Sequence, residues 1–218
     1  MLSFAWFYEK IYPRIEPRRI REQRRAIAGK ARRAVLEIGV GNGLNLPYYR
    51  RSTDITGIDP DRRLLTYAYR RSTDNTRLIP GHAEELPFKD ESFDTVVSTF
   101  TFCSVRNPCR VATEIRRVLK TEGCFLFMEH VVSGNQVWHS LQRWLQPCWG
   151  RLFGGCCLTR KTLDIFKQAG LEIIELQRLS GGLLPIVSGT ALKTPFNNYD
   201  NPGGDKNGRQ KVAYTNFG

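Results

Sequence analysis

A glycine-rich turn follows a short apolar segment near the start of the chain. Residues 34–38 read Ala-Val-Leu-Glu-Ile, which predicts a buried strand. Three alternate positions directly after it are glycine: Gly39, Gly41 and Gly43. Glycine lets the backbone turn sharply and approach a ligand more closely than any side chain would allow. This pattern predicts a site for a nucleotide-like ligand.

Two nearby residues narrow the class of ligand. The spacing here is G-x-G-x-G, and Leu44 stands where a dinucleotide fingerprint has its third glycine. Glu37 precedes the first glycine by two positions, where its carboxylate would repel a pyrophosphate. A cationic ligand therefore suits this turn better than a phosphate.

A second carboxylate ends the next predicted strand. Asp59 follows Gly41 by eighteen positions, and at that place a carboxylate can bind both hydroxyls of a ribose. A local alternative exists, because Asp59 followed by Pro60 is also a good helix start, with aspartate as the cap. We favour ribose binding on the spacing.

Apolar segments alternate with amphipathic ones over the rest of the chain, a pattern typical of an α/β fold with crossover helices. We predict strands at 34–38, 54–58, 77–80, 94–98, 124–128, 171–178 and 186–192. We predict helices at 61–71, 108–119 and 159–170, the last capped by Thr159 and ended by Gly170. An inserted helix at 135–152, with Val137, Leu141, Trp144 and Leu145 on its apolar face, is expected either to roof the site or to pack as an ordinary surface helix.

Four motifs in order across residues 34–128 carry a family resemblance. They are E-x-G-x-G-x-G, G-I-D, A-E-x-L-P-F-x-x-x-S-F-D and R-V-L-K-x-x-G. Together they resemble the class I S-adenosylmethionine-dependent methyltransferases of the ubiquinone and menaquinone biosynthesis type. The resemblance implies a Rossmann-like, mostly parallel seven-stranded sheet of order 3-2-1-4-5-7-6, with the last strand antiparallel and helices on both faces.

The resemblance also implies a cofactor, S-adenosylmethionine, and a set of residues that bind it. The set is Glu37, Gly39, Gly41, Gly43, Asp59, Pro60, His82, Ala83, Glu84, Ser98 and Thr99. The glycines would pass beneath the methionine part, Asp59 would bind the ribose, the 82–84 turn would border the adenine, and positions 98–99 would lie near the methionine end. Two positions depart from the family pattern: His82 replaces the usual aspartate, and Thr121-Glu122-Gly123 replaces the usual Pro-Gly-Gly.

Three further stretches, Phe-Cys-Ser-Val at 102–105, Phe-Met-Glu-His-Val at 127–131 and Gly-Cys-Cys-Leu-Thr-Arg at 155–160, resemble the methyltransferase-like seven group of thiol S-methyltransferases. The stretch 39–49 is similar to bacterial phosphatidylethanolamine N-methyltransferases. These resemblances imply a small lipophilic acceptor, methylated on a thiol sulfur or a lipid amine nitrogen. The alternatives are a quinone-type carbon or oxygen methyltransferase and a catalytically silent module that keeps the cofactor fold.

The fifth predicted strand ends in two residues that can move protons, Glu129 and His130. Ligands of open α/β sheets gather at the carboxyl ends of the strands, so we predict that this pair acts in catalysis. The alternative is structural: His130 bonds to the inserted helix and Glu129 contacts an arginine. The six cysteines contain no C-x-x-C pair and no histidine stands at ligand spacing, so no metal site is expected.

Charge divides the chain into three predicted parts. The net charge is +12, and residues 1–33 alone hold ten Lys and Arg against three acidic residues. This basic, aromatic, helical arm is expected either to cover the domain core or to lie on an anionic membrane surface, and nucleic acid is the weakest candidate because no matching motif accompanies the charge. Residues 34–193 would form the methyltransferase domain and 194–218 a disordered tail. With no signal peptide or spanning segment recognised, we expect a cytoplasmic or peripheral membrane protein.

Overall fold

The structure is a computed structural model that describes residues 4–194 and 214–215. Its helices are α1 (Phe4–Lys10), α2 (Tyr12–Ile15), α3 (Arg18–Lys30), α4 (Arg62–Tyr69), α5 (Pro108–Val118), α6 (Gln136–Leu152) and α7 (Thr162–Gln168). Its strands are β1 (Ala34–Ile38), β2 (Asp54–Asp59), β3 (Thr76–Pro80), β4 (Phe93–Thr99), β5 (Leu119–His130), β6 (Leu171–Ser180), β7 (Ile186–Lys193) and β8 (Tyr214–Thr215).

The strands form one sheet in the order β3-β2-β1-β4-β5-β7-β6-β8. Strands β1 to β5 are mutually parallel, and β7 runs antiparallel to both β5 and β6. The predicted order and the antiparallel last strand are therefore confirmed. The predicted start of β5 was wrong: the strand begins at Leu119, where it pairs with Phe93 before a shift in register.

Helices cover both faces because neighbouring residues of each central strand point to opposite sides. Val35 of β1 lies in the core that α3 and α4 share with the sheet, whereas Leu36 lies in the core formed with α5 and α7. Val96 and Val97 of β4 divide in the same way. The central strands of the sheet are thus buried on both faces, as predicted.

The arm packs against the domain along helix α3. Ile20, Ile27 and Ala28 recur at helical spacing and join the core that contains Val35 of β1. Lys30 of α3 also pairs with Glu175 of β6 at 2.7 Å. Helix α3 of the arm is therefore a layer of the fold. This agrees with the expectation that the arm covers the domain core.

Two helix predictions need correction. Helix α7 begins at Thr162, so Thr159 does not cap it; Arg160 instead donates to the carbonyls of Phe102 and Val105, which keeps this segment out of the helix. In α6, Val137 and Trp144 are 75% and 76% exposed, while Gln142 is fully buried. The buried side of α6 is thus not the apolar face that the spacing predicted.

The predicted tail, residues 194–218, lies mostly outside the described residues. Of its described members, Thr194 bonds to Gly170, and Tyr214 and Thr215 form strand β8, which pairs in parallel with Leu176 and Gln177 of β6. Within residues 4–194 and 214–215, no helix combines the length and the apolar character needed to cross a bilayer.

Candidate functional site

The glycine turn lies directly after β1, and its three glycines differ in what surrounds them. All three have positive φ, at +61° for Gly39, +56° for Gly41 and +80° for Gly43. A Cβ at Gly39 would stand 2.3 Å from Oγ1 of Thr101, and one at Gly43 would stand 2.8 Å from Leu46. At Gly41 the nearest side-chain atom is Cε1 of Tyr8, at 3.7 Å. Packing thus requires the outer two glycines, whereas a Cβ at Gly41 would make only an ordinary van der Waals contact with Tyr8 of helix α1.

The carboxylate of Asp59 faces this turn from the end of β2. Its Oδ2 accepts a hydrogen bond from the Gly41 amide at 2.9 Å, and its Oδ1 accepts one from the Asp61 amide at 2.8 Å. Asp61, not Asp59, caps α4 by accepting from the amides of Arg63 and Leu64. The helix-cap alternative for Asp59 is therefore wrong. Burial raises the pKa of Asp59, and the neighbouring His82 acts against that rise.

The predicted adenine side follows β3. His82 is exposed, Ala83 is buried, and Pro60 is exposed beside the end of β2. The carboxylate of Glu84 accepts hydrogen bonds from the amides of Arg106 and Asn107 at 3.0 and 3.3 Å. Glu84 therefore ties this turn to the start of α5.

A buried polar network joins the arm to the glycine turn. Arg24 of α3 is 2% exposed and pairs through Nε with Glu16 at 2.7 Å. Its Nη1 donates to Asn45 at 3.0 Å and to Thr99 at 3.1 Å. The remaining nitrogen, Nη2, is buried without a hydrogen-bond partner among the described residues. A buried cation is thus held in place with one donor unused.

Glu37 is the acidic end of the same network. It accepts hydrogen bonds from Asn45 at 2.8 Å and from the Tyr49 hydroxyl at 2.9 Å. Complete burial raises the pKa of Glu37 to about 7, although both hydrogen bonds favour the carboxylate. Glu37 therefore supports the loop that carries Asn45 and Tyr49.

Glu129 lies at the end of β5 and is fully buried. It accepts hydrogen bonds from the Ser98 hydroxyl at 2.6 Å and from the amides of Thr101 and Phe102, both at 3.1 Å. Burial raises the pKa of Glu129 to about 7 against these three donors. Glu129 thus positions the turn that follows β4, and the catalytic role predicted for it stays a prediction.

His130 belongs to a cluster of soft ligand atoms. The sulfurs of Cys103 and Cys156 and a ring nitrogen of His130 all lie within 4.8 Å of one another. Nδ1 of His130 is 3.9 Å from the Cys156 sulfur, and the imidazole lies 4.8 Å from the Phe100 ring. The hydrogen bond from Cys103, together with His130, lowers the pKa of the Cys156 thiol.

Helix α6 packs over this cluster. Leu145, Trp149 and Phe153 pack against Cys103, Cys156 and Leu158. Gln146 of α6 holds the covered segment by donating to the Cys156 carbonyl and accepting from the Leu158 amide. The site therefore has a glycine turn on one side and a roofed cysteine cluster on the other.

Comparison with known proteins decides the family. A family model described as a methyltransferase domain matches residues 36–127. This part of the chain is a methyltransferase domain. The match spans β1 to β5 and includes every cofactor-binding residue predicted from the motifs.

Relatives of this methyltransferase domain include human thiol S-methyltransferase TMT1A, 33% identical over 157 residues, or 69% of this chain and 64% of that protein. Phosphatidylethanolamine N-methyltransferase of Cereibacter sphaeroides is 40% identical over 102 residues, 44% of this chain and 50% of that protein. The chain thus spans a little under two thirds of the length of TMT1A. The crystal structure of a SAM-dependent methyltransferase from Thermotoga maritima has the same fold, with a TM-score of 0.66, 23% identity and coverage of 88% and 98% of the two chains.

Sequence reasoning missed three residues of this site. Arg24 lies on the apolar stripe of α3, four positions after Ile20, and an arginine at such a position is a recognisable signal. Cys103 and Cys156 are 53 positions apart, so no spacing rule connects them. Arg24 and Cys156 also lie outside the methyltransferase domain match.

Proposed function

We propose that the protein is an S-adenosylmethionine-dependent methyltransferase that acts on a small lipophilic acceptor, on thiol sulfur or lipid amine nitrogen. The observation that carries this proposal is the buried Nη2 donor of Arg24, which has no hydrogen-bond partner among the described residues, together with a glycine turn in which packing does not require Gly41. A buried donor without a partner is costly, and an anionic group of a ligand would satisfy it. The carboxylate of the methionine part of S-adenosylmethionine is such a group.

The remaining cofactor residues fit the same molecule. Asp59 presents a buried carboxylate to a ribose, and Ala83 borders the adenine with its backbone, since the His82 ring is exposed. When bound, S-adenosylmethionine supplies a methyl group on a sulfonium, which transfers by in-line displacement. Most of the rate then comes from holding the acceptor in line and away from water.

The acceptor proposal rests on the two relatives and on the roofed side of the site. TMT1A is named a thiol S-methyltransferase, and the Cereibacter protein a phosphatidylethanolamine N-methyltransferase. His130 is our candidate for the residue that faces the acceptor, because it is partly exposed beside the buried cysteines. Glu129 acts by positioning the turn that follows β4, since three donors already bind its carboxylate.

Calorimetric titration with S-adenosylhomocysteine tests the cofactor. We expect Asp59→Ala to weaken binding by about 1–3 kcal/mol, the cost of losing hydrogen bonds to a charged group. Asp54→Ala is the matched control, because Asp54 is exposed at the opposite end of β2. Absence of binding by the wild type would contradict the enzyme proposal and favour the silent module.

Product analysis distinguishes the acceptors. We expect methylation of a small alkyl thiol or of a phosphatidylethanolamine, each detected by mass spectrometry of the methylated product. Transfer to a quinol alone, with neither of these acceptors methylated, would replace our proposal with the quinone-type alternative.

We also propose that the protein works at a membrane surface, where lipophilic acceptors reside. Three exposed apolar residues of α6, Val137, Trp144 and Leu152, recur every two turns, and the exposed Arg143 and Arg151 flank them. The basic arm, residues 1–33, adds exposed arginines such as Arg18 and Arg25. An apolar face with basic flanks is typical of a helix that lies in an anionic interface.

Co-sedimentation with vesicles of phosphatidylcholine and phosphatidylserine tests this surface. We expect Trp144→Gln to release a large part of the bound protein and Tyr69→Gln to have no effect, because Tyr69 is also an exposed aromatic residue but lies on α4. Point variants are required, since deleting the arm would remove core residues of α3. Wild type that stays in the supernatant would contradict the membrane proposal.

A further inference from the structure

We propose that Cys103, His130 and Cys156 bind one Zn²⁺ ion and leave its fourth position for the thiol that accepts the methyl group. The metal site stands on the geometry of the three side chains alone. The role of the fourth position rests on the proposed function, and the experiment separates the two.

The ligand atoms match the chemistry of zinc. Two sulfurs and one imidazole nitrogen form a donor set that Zn²⁺ prefers, and Zn–S and Zn–N bonds of about 2.3 and 2.0 Å place tetrahedral ligands about 3.5–3.8 Å apart. The three atoms of the cluster lie within 4.8 Å of one another, and the Cys156 sulfur is 3.9 Å from Nδ1 of His130. A contraction of roughly 1 Å at most would complete the coordination.

The surrounding backbone holds the ligands in place. Cys103 and Cys156 come from different segments, which the Cys157 amide joins by donating to the Cys103 carbonyl at 2.7 Å. The turn of Cys103 is fixed by Glu129, and the carbonyl of His130 accepts a hydrogen bond from Thr162. A site assembled from three separately anchored segments is already organised for a shared ligand.

Two buried thiols and an indole favour the assignment of this cluster as a metal site rather than as an empty apolar pocket. Cys103 and Cys156 are 2% and 5% exposed, and neither is in a disulfide. Nε1 of Trp149 is buried without a hydrogen-bond partner among the described residues, and the indole packs against the segment that carries Cys156. A donor aimed at a metal-bound thiolate is a common outer-shell partner, which orients the ligand.

The three side chains leave one coordination position of a tetrahedral Zn²⁺ for another ligand. Among the described residues no further Cys, His, Asp or Glu joins this group of three, and three protein ligands are typical of catalytic zinc sites. A thiol that binds there forms an S–Zn bond and releases its S–H proton to water, while the ion stays Zn²⁺. The acceptor would then be a thiolate at neutral pH without a separate general base.

Cobalt substitution tests the metal site without relying on activity. We expect the full-length apoprotein to bind one Co²⁺ under anaerobic, reducing conditions, with visible d–d bands and sulfur-to-cobalt charge-transfer bands. Cys103→Ser and Cys156→Ser should lose most of the charge-transfer intensity and bind Zn²⁺ at least tenfold more weakly. Cys157→Ser is the matched control, since its sulfur contacts Thr159 instead and should change neither quantity.

The outcomes separate the parts of the proposal. Absence of cobalt bands in the wild type, equal losses in Cys157→Ser, or a Cys103–Cys156 disulfide mapped in the protein as purified would overturn the metal site. If a cysteine variant does not fold, His130→Gln, which keeps both thiols, should still change the d–d bands. Charge-transfer bands that do not grow on adding 2-mercaptoethanol would overturn the acceptor position. Bands that grow, in a protein that binds no S-adenosylhomocysteine, would leave the metal site standing and refute the proposed function.

Discussion

The two sides of the site are built in different ways. The predicted cofactor side comes from contiguous stretches of β1, β2, β3 and β4 and the turns that follow them, so its residues can be recognised from short local motifs. The cluster side brings together Cys103, His130 and Cys156 from three segments under helix α6. The first kind of site can be recognised by motif, whereas the second exists only after the chain has folded.

Arg24 bonds to the loop beside the glycine turn and lies 5.4 Å from the Phe100 ring, which contacts His130 of the cluster, so its loss should have the largest effect. We expect Arg24→Met to lower the free energy of unfolding by up to about 3–5 kcal/mol, because it removes the 2.7 Å partner of the buried Glu16 and leaves only the longer contact with Arg21 at 3.9 Å. Arg25→Met, at an exposed neighbouring position, should change it by less than about 0.5 kcal/mol. Urea unfolding measures both free energies. A small loss for Arg24→Met would mean that the buried network of Arg24 does not stabilise the fold.

Two glycines of the turn can distinguish a packing role from a role in ligand binding. Gly39→Ala should destabilise the fold by about 2–4 kcal/mol, because strain at positive φ adds to a clash with Thr101. Gly41→Ala should cost only about 1–2 kcal/mol of stability, from the backbone strain alone, while S-adenosylhomocysteine binds several-fold more weakly. Thermal unfolding and calorimetry separate the two effects. Equal losses of stability would show that Gly41 is also required by packing.

The dependence of the free energy of unfolding on pH is the smallest of the expected effects. Glu37 and Glu129, one on each side of the site, both have a folded pKa of about 7 against an unfolded value of 4.5. Their contribution to stability is therefore complete below pH 4.5 and is lost as the pH rises through 7. Relative to the Glu37→Gln or Glu129→Gln variant, the wild type should lose about 1–3 kcal/mol between pH 5 and 7.5. Chemical unfolding across this range measures it, and parallel pH profiles would contradict both assignments.

The order of the sheet and the cofactor turn could be predicted because their signals are local. β1 followed by Gly39, Gly41 and Gly43 needs only adjacent residues, and Asp59 needs one further strand. The buried side of α6 could not be predicted in this way, since Gln142 is buried to satisfy the Ser133 amide and the Leu183 carbonyl. Hydrogen bonds between distant segments outweigh the apolar pattern there, as they do for Arg160 before α7.

Helix α1 bears on how fast such an enzyme can turn over. Its Tyr8 lies beside Gly41, Asn42 donates to the Tyr8 carbonyl, and Glu9 pairs with Arg71 at 2.8 Å. A cofactor that binds beside Gly41 must pass this helix on arrival and again on departure as product. Movement of α1 would then be a step of each catalytic cycle in addition to the transfer, and loss of the Glu9–Arg71 pair would make that step faster.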